Sequence, residues 1–315
     1  MDSWRNRAFN KVLFRIMRQR LAGCNTTDEM RDLILSIDSY GALISAPRGM
    51  EVTPTKFADT PCDWIDMPHS SGNKIIVYFH GGGFCFSSPR IHNAFLARLA
   101  NATKSRGLMV NYSLAPEHPY PAAPNECFAV YRALLMHGYH PNQIILAGDS
   151  AGGNLTLTTL LRLRDANLPM PAAAIMISPV TDMAVTGESA FKKCKDDPFF
   201  DLSTLLLMRN NYIGTQNPCD PDISPYYAQL HDLPPMFLTA GTEELLMDDS
   251  IRLAEKIGDA DGDITLHVVK GVPHVYPLFY QLSEARDAIK LMASFVQEKY
   301  KEAKAEVKPE HKEAS

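Results

Sequence analysis

The sequence predicts an α/β fold, a mainly parallel eight-stranded sheet with an antiparallel start and helices on both faces. Three observations carry this. Apolar, β-branched runs at 74–79, 107–112, 144–147, 172–177, 236–239 and 264–269 alternate with longer stretches of helical periodicity. Two further strand-like runs, 51–57 and 62–67, are separated only by a turn at Thr60-Pro61, which makes them antiparallel neighbours. The length of 315 residues, 45% hydrophobic and 21% charged, supplies a large core. Length alone allows two domains, but one α/β domain reaches this size.

Taken in order, residues 1 to about 22 form a basic amphipathic helix. Trp4, Ala8, Val12 and Ile16 recur every fourth residue, with Phe9, Leu13 and Met17 beside them and Arg5, Lys11, Arg15 and Arg18 on other faces. The preferred reading packs this stripe on the body of the protein; the alternative lays it on a membrane surface. A second helix covers Glu29 to Ile44. Helices are then expected at His92–Lys104, Glu126–Met136, Ala151–Arg164, Asp248–Ile257 and Leu282–Tyr300. Asp182 to Gly214 breaks the alternation; it is polar, ends in a helix from Leu202 to Tyr212, and reads as an insertion over the sheet edge. The tail 301–315 is charged and without periodicity, so it is expected to fray.

A net charge of −5 gives no case for a nucleic-acid partner. The six cysteines, Cys24, Cys62, Cys85, Cys127, Cys194 and Cys219, show no C-x-x-C spacing. Without a signal peptide they read as reduced thiols of a cytoplasmic protein. No apolar run approaches the roughly 18 residues of a membrane span. No histidine set has metal-ligand spacing, and neither a metal nor an organic cofactor is expected. An exposed last strand offers an edge for pairing, so a monomer or a homodimer is expected.

In such sheets ligands bind at the carboxyl ends of the strands, so chemistry is sought just after each strand. Gly148-x-Ser150-x-Gly152 lies between a buried strand and a helix. Glycines two residues either side let the chain turn sharply enough to hold a serine exposed at the tip, at a helix N-terminus. The plain alternative is a glycine-rich turn with a capping serine. After the strand ending at Phe79 comes His80-Gly81-Gly82-Gly83-Phe84, whose bare N–H groups suit an oxyanion. Gly82 and Gly83, with the Ala151 N–H, are the candidate donors. A phosphate loop is disfavoured, since no G-x-x-x-x-G-K-[ST] follows. Ser150 needs a base and an acid later in the chain. His274, in the loop after the last strand, is the candidate base, while His267 lies within that strand and reads as structural. After the strand 236–239, Asp248 and Asp249 look like helix-capping residues, which leaves Glu243 or Glu244 as the acid.

Together these residues resemble the hormone-sensitive-lipase-like branch of the α/β-hydrolases, in its microbial carboxylesterase arm. His80-Gly81-Gly82-Gly83 is similar to the oxyanion motif of that branch, and Gly148-Asp149-Ser150-Ala151-Gly152-Gly153-Asn154 to its nucleophile motif. Asn111-Tyr112-Ser113-Leu114-Ala115-Pro116-Glu117 resembles its Asp-Tyr-Arg-Leu-Ala-Pro-Glu segment, with Asn111 and Ser113 departing from it. The resemblance spans roughly residues 51–300. Many members carry Asp-Pro-Leu-x-Asp, and Glu244 with Asp248 reproduces that spacing, so the resemblance favours Glu244. It also implies a catalytic domain over 49–300 and a helical cap made of residues 1–48 and about 183–215. Phe84, Phe86, Phe199, Leu206 and Tyr212 become candidates to line an acyl or alcohol pocket, and Cys85 to border it. Asp149 and Glu117 are expected to brace the elbow and its neighbouring loop. The implied function is a serine carboxylesterase acting on short acyl esters or compact lactones through Ser150, His274 and Glu244. An amidase or deacetylase with the same triad is the rival enzyme, and a non-catalytic receptor the rival from another class.

Overall fold

The computed structural model describes residues 4–41 and 46–306. It opens with α1 (Trp4–Leu13), a π-helical turn (Phe14–Arg18), α2 (Gln19–Leu21) and α3 (Thr27–Gly41). The sheet region follows as β1 (Glu51–Phe57), β2 (Thr60–Asp66), β3 (Ile75–Phe79), α4 (Pro89–Thr103), β4 (Arg106–Val110), α5 (Ala122–Met136), β5 (Ile144–Asp149), α6 (Ala151–Asp165) and β6 (Ala173–Ile177). Then come α7 (Ser189–Lys192), α8 (Leu202–Ile213), β7 (Met236–Glu243), α9 (Met247–Asp259), β8 (Ile264–Pro273) and α10 (Ser283–Glu306).

The eight strands form one sheet in the order β1-β2-β4-β3-β5-β6-β7-β8. The β1–β2 and β2–β4 pairs are antiparallel, and every later pair is parallel. β3, β5 and β6 are buried along their whole length. That is why they read as continuous apolar runs rather than as alternation. Alternate side chains feed two cores. Val77 and Phe79 pack with α5, α6 and α9, whereas Ile76 and Tyr78 pack with α4 and α10. β8 closes the sheet as an edge strand, with Leu266 and Val268 partly exposed.

Three expectations change. α10 continues to Glu306, so the start of the supposed tail is helical; residues 307–315 lie outside the described residues. The second N-terminal helix is described over Thr27–Gly41; its expected end at Ile44 lies outside the described residues. The segment after β6 lies over the carboxyl ends of the strands, from β3 to β8, rather than over the sheet edge alone, because its Met208 sits against Gly83 after β3 and its Phe200 against His274 after β8. The stripe Trp4, Ala8, Val12, Ile16 faces outward; Leu13, Met17 and Leu21 are the buried side. Periodicity shows that a helix has an apolar face but not which of two faces the body takes. Among the described residues no helix is long and apolar enough to cross a membrane.

β7 and β8 run longer than their apolar cores suggest, and this places the site. Their pairing continues past a bulge at Gly241 to Glu243 opposite Pro273. The residues that follow, Glu244 and His274, are therefore delivered side by side.

On β4, a Cβ at Gly107 would fall 2.6 Å from Leu96 Cγ of α4, so this helix lies on the bare backbone. G107A is expected to cost about 1–3 kcal/mol by overpacking. Urea unfolding should show a lower midpoint at unchanged slope.

Candidate active site

β5 enters the site through Gly148 and Asp149. Ser150 then takes φ +52° and ψ −117°, outside the regions that ordinary side chains favour. The flanking glycines make this corner possible. A Cβ on Gly148 would lie 2.2 Å from the Gly152 carbonyl oxygen, and one on Gly152 1.8 Å from that of Phe79. The corner is held by the Ser150 N–H donating to Ile177 O (2.8 Å) and by the Val180 N–H donating to Ser150 O (3.2 Å). Such a backbone costs about 1–3 kcal/mol. The Ser150 side chain makes no capping bond to α6. It lies on a cavity wall at the positive end of that helix, which disposes of the capping-serine alternative.

Asp149 joins the elbow to the glycine run. Its Oδ1 accepts from Tyr78 Oη (2.7 Å) and from the Gly81 N–H (2.9 Å), and its Oδ2 lies 3.4 Å from His92 Nε2. Burial pushes this carboxyl up, but His92 and the donors outweigh it and hold it below the usual range. His80 is buried, stacked on Tyr112 at 4.3 Å, and kept neutral: burial first, then His92, lowers it to about 4. Gly82 has φ +122° and Gly83 φ +57°. Cβ atoms there would meet Phe86 O at 2.0 Å and Met208 Sδ at 2.3 Å. Neither N–H donates a hydrogen bond among the described residues. Gly82, Gly83 and Ala151 share the cavity wall with Ser150.

His274 is on the same wall, with its Nδ1 2.5 Å from Glu244 Oε2. Glu244 is fully buried; its Oε1 accepts from the Gly241 N–H (2.6 Å) and from Ser178 Oγ (3.0 Å). Burial would lower the His274 pKa, but the bond and the charge of Glu244 outweigh it and the net shift is upward. Glu243 turns away, bonded by Thr242 Oγ1 and 3.7 Å from Lys193 Nζ. Asp248 and Asp249 do not cap their own helix. Asp248 accepts from the Ser189 N–H (2.7 Å), and Asp249 from the N–H groups of Thr181 (2.7 Å) and Asp182 (3.0 Å), tying α9 to the segment after β6.

The cavity measures about 470 Å³ and is almost wholly apolar. Phe84, Phe86 and Phe199 line it. Leu206 and Tyr212 do not, and this corrects the expectation. α8 turns Leu205, Met208 and Arg209 inward, and Leu206 lies a hundred degrees round the helix from Leu205. Tyr212 supports the wall from behind, its ring stacked on Phe84 at 3.6 Å. Cys85 is also behind the wall, its thiol pushed up to about 12 by burial. Glu117 reaches further than a local brace: it forks onto Arg31 of α3 at 2.6 Å twice, and Arg31 also donates to Cys85 O and Ala115 O (both 2.8 Å). Asn111 Nδ2 donates to Asp63 (2.8 Å) and Ser113 Oγ to Glu126 (2.6 Å).

Sequence reasoning missed Asp197, just before α8. It is fully buried and accepts from the N–H groups of Phe199 (2.6 Å), Phe200 (3.3 Å) and Leu245 (2.8 Å). The last bond pins the residue after Glu244. The first two set the Phe199 and Phe200 rings edge-on to the His274 imidazole, at 5.6 and 5.1 Å. Its only sequence signal was an acidic pair in a lysine-rich stretch, which reads as solvated surface.

The α/β hydrolase fold family matches residues 76–278. An esterase of Acinetobacter venetianus is 36% identical over 78% of this chain and 82% of its own. An acetyl-hydrolase of Streptomyces hygroscopicus is 34% identical over 74% and 78%. A solved esterase of the bacterial hormone-sensitive lipase family superposes with a TM-score of 0.88 at 33% identity, over 95% of this chain and 100% of that one.

Burial raises the Asp197 carboxyl from 3.8 to about 6, against the opposing pull of His274 and the Leu245 and Phe199 donors and with a push from Glu244. A carboxyl raised by folding favours the folded state below pH 3.8 and loses that contribution as pH climbs through about 6. D197N lacks this titration. Its stability relative to the unsubstituted protein should therefore rise across that window in urea unfolding; a pH-independent difference contradicts the assignment.

Proposed function

The chain belongs to the α/β-hydrolase fold family, in its hormone-sensitive-lipase-like branch, and is a carboxylic-ester hydrolase; from that premise we propose a serine esterase mechanism run by Ser150, His274 and Glu244. The observation that carries it is the buried Glu244–His274 bond of 2.5 Å, on the cavity wall that also presents Ser150. Neutral His274 takes the Ser150 proton through Nε2, while Glu244 holds the Nδ1 proton and stabilises the imidazolium that forms. Ser150 Oγ attacks the ester carbonyl. The N–H groups of Gly82, Gly83 and Ala151 receive the oxyanion, a contribution of about 3 kcal/mol per donor. His274 then gives its proton to the departing alcohol, and water, activated by the same imidazole, releases the acid from the acyl-enzyme.

The helices of residues 1–48 and the segment 183–215 act as the cap. Their Leu13, Met17, Phe199 and Met208 roof the cavity, which supports the reading of compact apolar acyl groups or lactones as substrates. A cytoplasmic site of action is supported by six free cysteines.

S150A should reduce p-nitrophenyl ester hydrolysis to background; unchanged turnover would remove the serine from the mechanism. E244Q is expected to lower kcat about 100- to 10,000-fold, with E243Q close to normal, since only Glu244 meets His274. The base works unprotonated and its pKa is raised above 6.5, so kcat/KM should climb with pH through an inflection above that value. Removing the Glu244 charge should shift the inflection downward. A series of acyl lengths with a lactone panel reads the substrate class: a maximum at long chains and no lactone turnover would contradict it.

A further inference from the structure

Residues 4–21 carry six basic side chains and no acidic one, in a chain of net charge −5, so the remaining residues hold −11. The concentration lies on one amphipathic helical segment. Its inner side is fixed to the body: Leu13, Met17 and Leu21 are buried, Phe9 packs on Phe279 at 5.2 Å, Asn6 bonds Glu284 (2.8 Å) and Asn10 bonds Gly271 O (3.1 Å). Its outer side is also apolar. Trp4 is 69%, Val12 55% and Ile16 42% exposed, with Ala8 between them, and Arg5, Arg7, Lys11 and Arg15 are exposed around this stripe. Val12 and Ile16 line the cavity as well, so the stripe leads into its mouth and on towards Ser150.

We propose that this outer face of α1 and the π-helical turn seats the protein on an anionic lipid bilayer, with the cavity mouth turned to the membrane. An exposed apolar stripe carrying a tryptophan among arginines and lysines has the composition of a helix that lies in the headgroup boundary. The positive charge meets anionic headgroups, each basic side chain strengthening binding roughly fivefold, while the acidic remainder of the molecule is repelled. This orients the mouth downward. A polynucleotide would engage the charges and leave Trp4, Val12 and Ile16 in water. A second copy docked through the same face about a twofold axis would set two basic helices against each other. The bilayer satisfies both the charge and the apolar surface. Apolar esters dissolved in it would reach Ser150 along the stripe; this last clause rests on the esterase reading, the docking itself does not.

The test uses the full chain bearing S150A, so that vesicles are not hydrolysed. It is sedimented with phosphatidylglycerol–phosphatidylcholine vesicles and with phosphatidylcholine alone. Binding is expected to the anionic vesicles, to weaken at least tenfold in R5E/K11E/R15E, and to fall steeply with salt. The chain has two tryptophans, and Trp64 is buried, so a blue shift of emission on binding reports Trp4. W4A should lose that shift and part of the affinity. Neither variant replaces a cavity-lining residue, so on the active background both should hydrolyse a soluble ester normally, which also shows that they fold. No sedimentation with anionic vesicles, binding undiminished by charge reversal, or an unshifted Trp4 would each overturn the proposal. So would self-association through this face in the absence of lipid.

Discussion

The structure turns on the near-contact of β5 with α6 across Ser150. Two glycines, with carbonyls where side chains would be, allow the chain to reverse in a single residue, and that residue pays in an unfavourable backbone. The compensation comes from neighbouring strand ends. Ile177 accepts the serine N–H, Val180 donates to its carbonyl, and Asp149 turns inward to collect Tyr78, His92 and the Gly81 N–H. The elbow and the glycine run are thus joined into one piece, so the Ser150 side chain and the unbonded N–H groups of Gly82 and Gly83 share the wall of a mostly apolar cavity.

Buried acids organise the opposite side in a different manner. Glu244 is bonded on both oxygens and faces a base; Asp197 collects backbone N–H groups from its own segment and from Leu245, and Asp249, on α9, collects those of Thr181 and Asp182. Burial drives Asp197 and Asp249 upward, to about 6 and about 7. They are fasteners between the roof and the loops after β7, and their charge is costly in that setting. Because Asp197 holds Leu245 and both phenylalanines beside His274, the roof and the loop that carries Glu244 are positioned by one carboxylate.

What could be read from the sequence followed from how local the signal was. Strand runs, the serine corner and the glycine run are written within ten residues each, and the structure has them. Ser150, Gly82, Gly83 and Ala151 fall on one wall because parallel strands deliver their carboxyl ends to one face. Glu244 against Glu243 was not decidable from composition; it depends on a bulge in the β7–β8 pairing, and the resemblance to relatives supplied what periodicity did not. Leu206 and Tyr212 failed because an isolated helix does not reveal its rotation. Asp197 was invisible because its partners lie up to 48 residues away. The first helix packs on the body as preferred, through Phe9, Leu13 and Met17, while Trp4, Val12 and Ile16 stay exposed: a helix apolar on two sides offers both to the core, and only the tertiary structure chooses.

The roof over Ser150 comes from two stretches far apart in the chain, and among the described residues neither adds a strand to the sheet. Arg31 clasps the first stretch to Glu117 of the body, and Arg18 clasps it to the second through the carbonyl of Asp197. The wall that presents Ser150 and the residues that roof it therefore come from different stretches of the chain. The cavity can thus change shape through side chains of the roof while the strands and the corner at Ser150 keep their geometry.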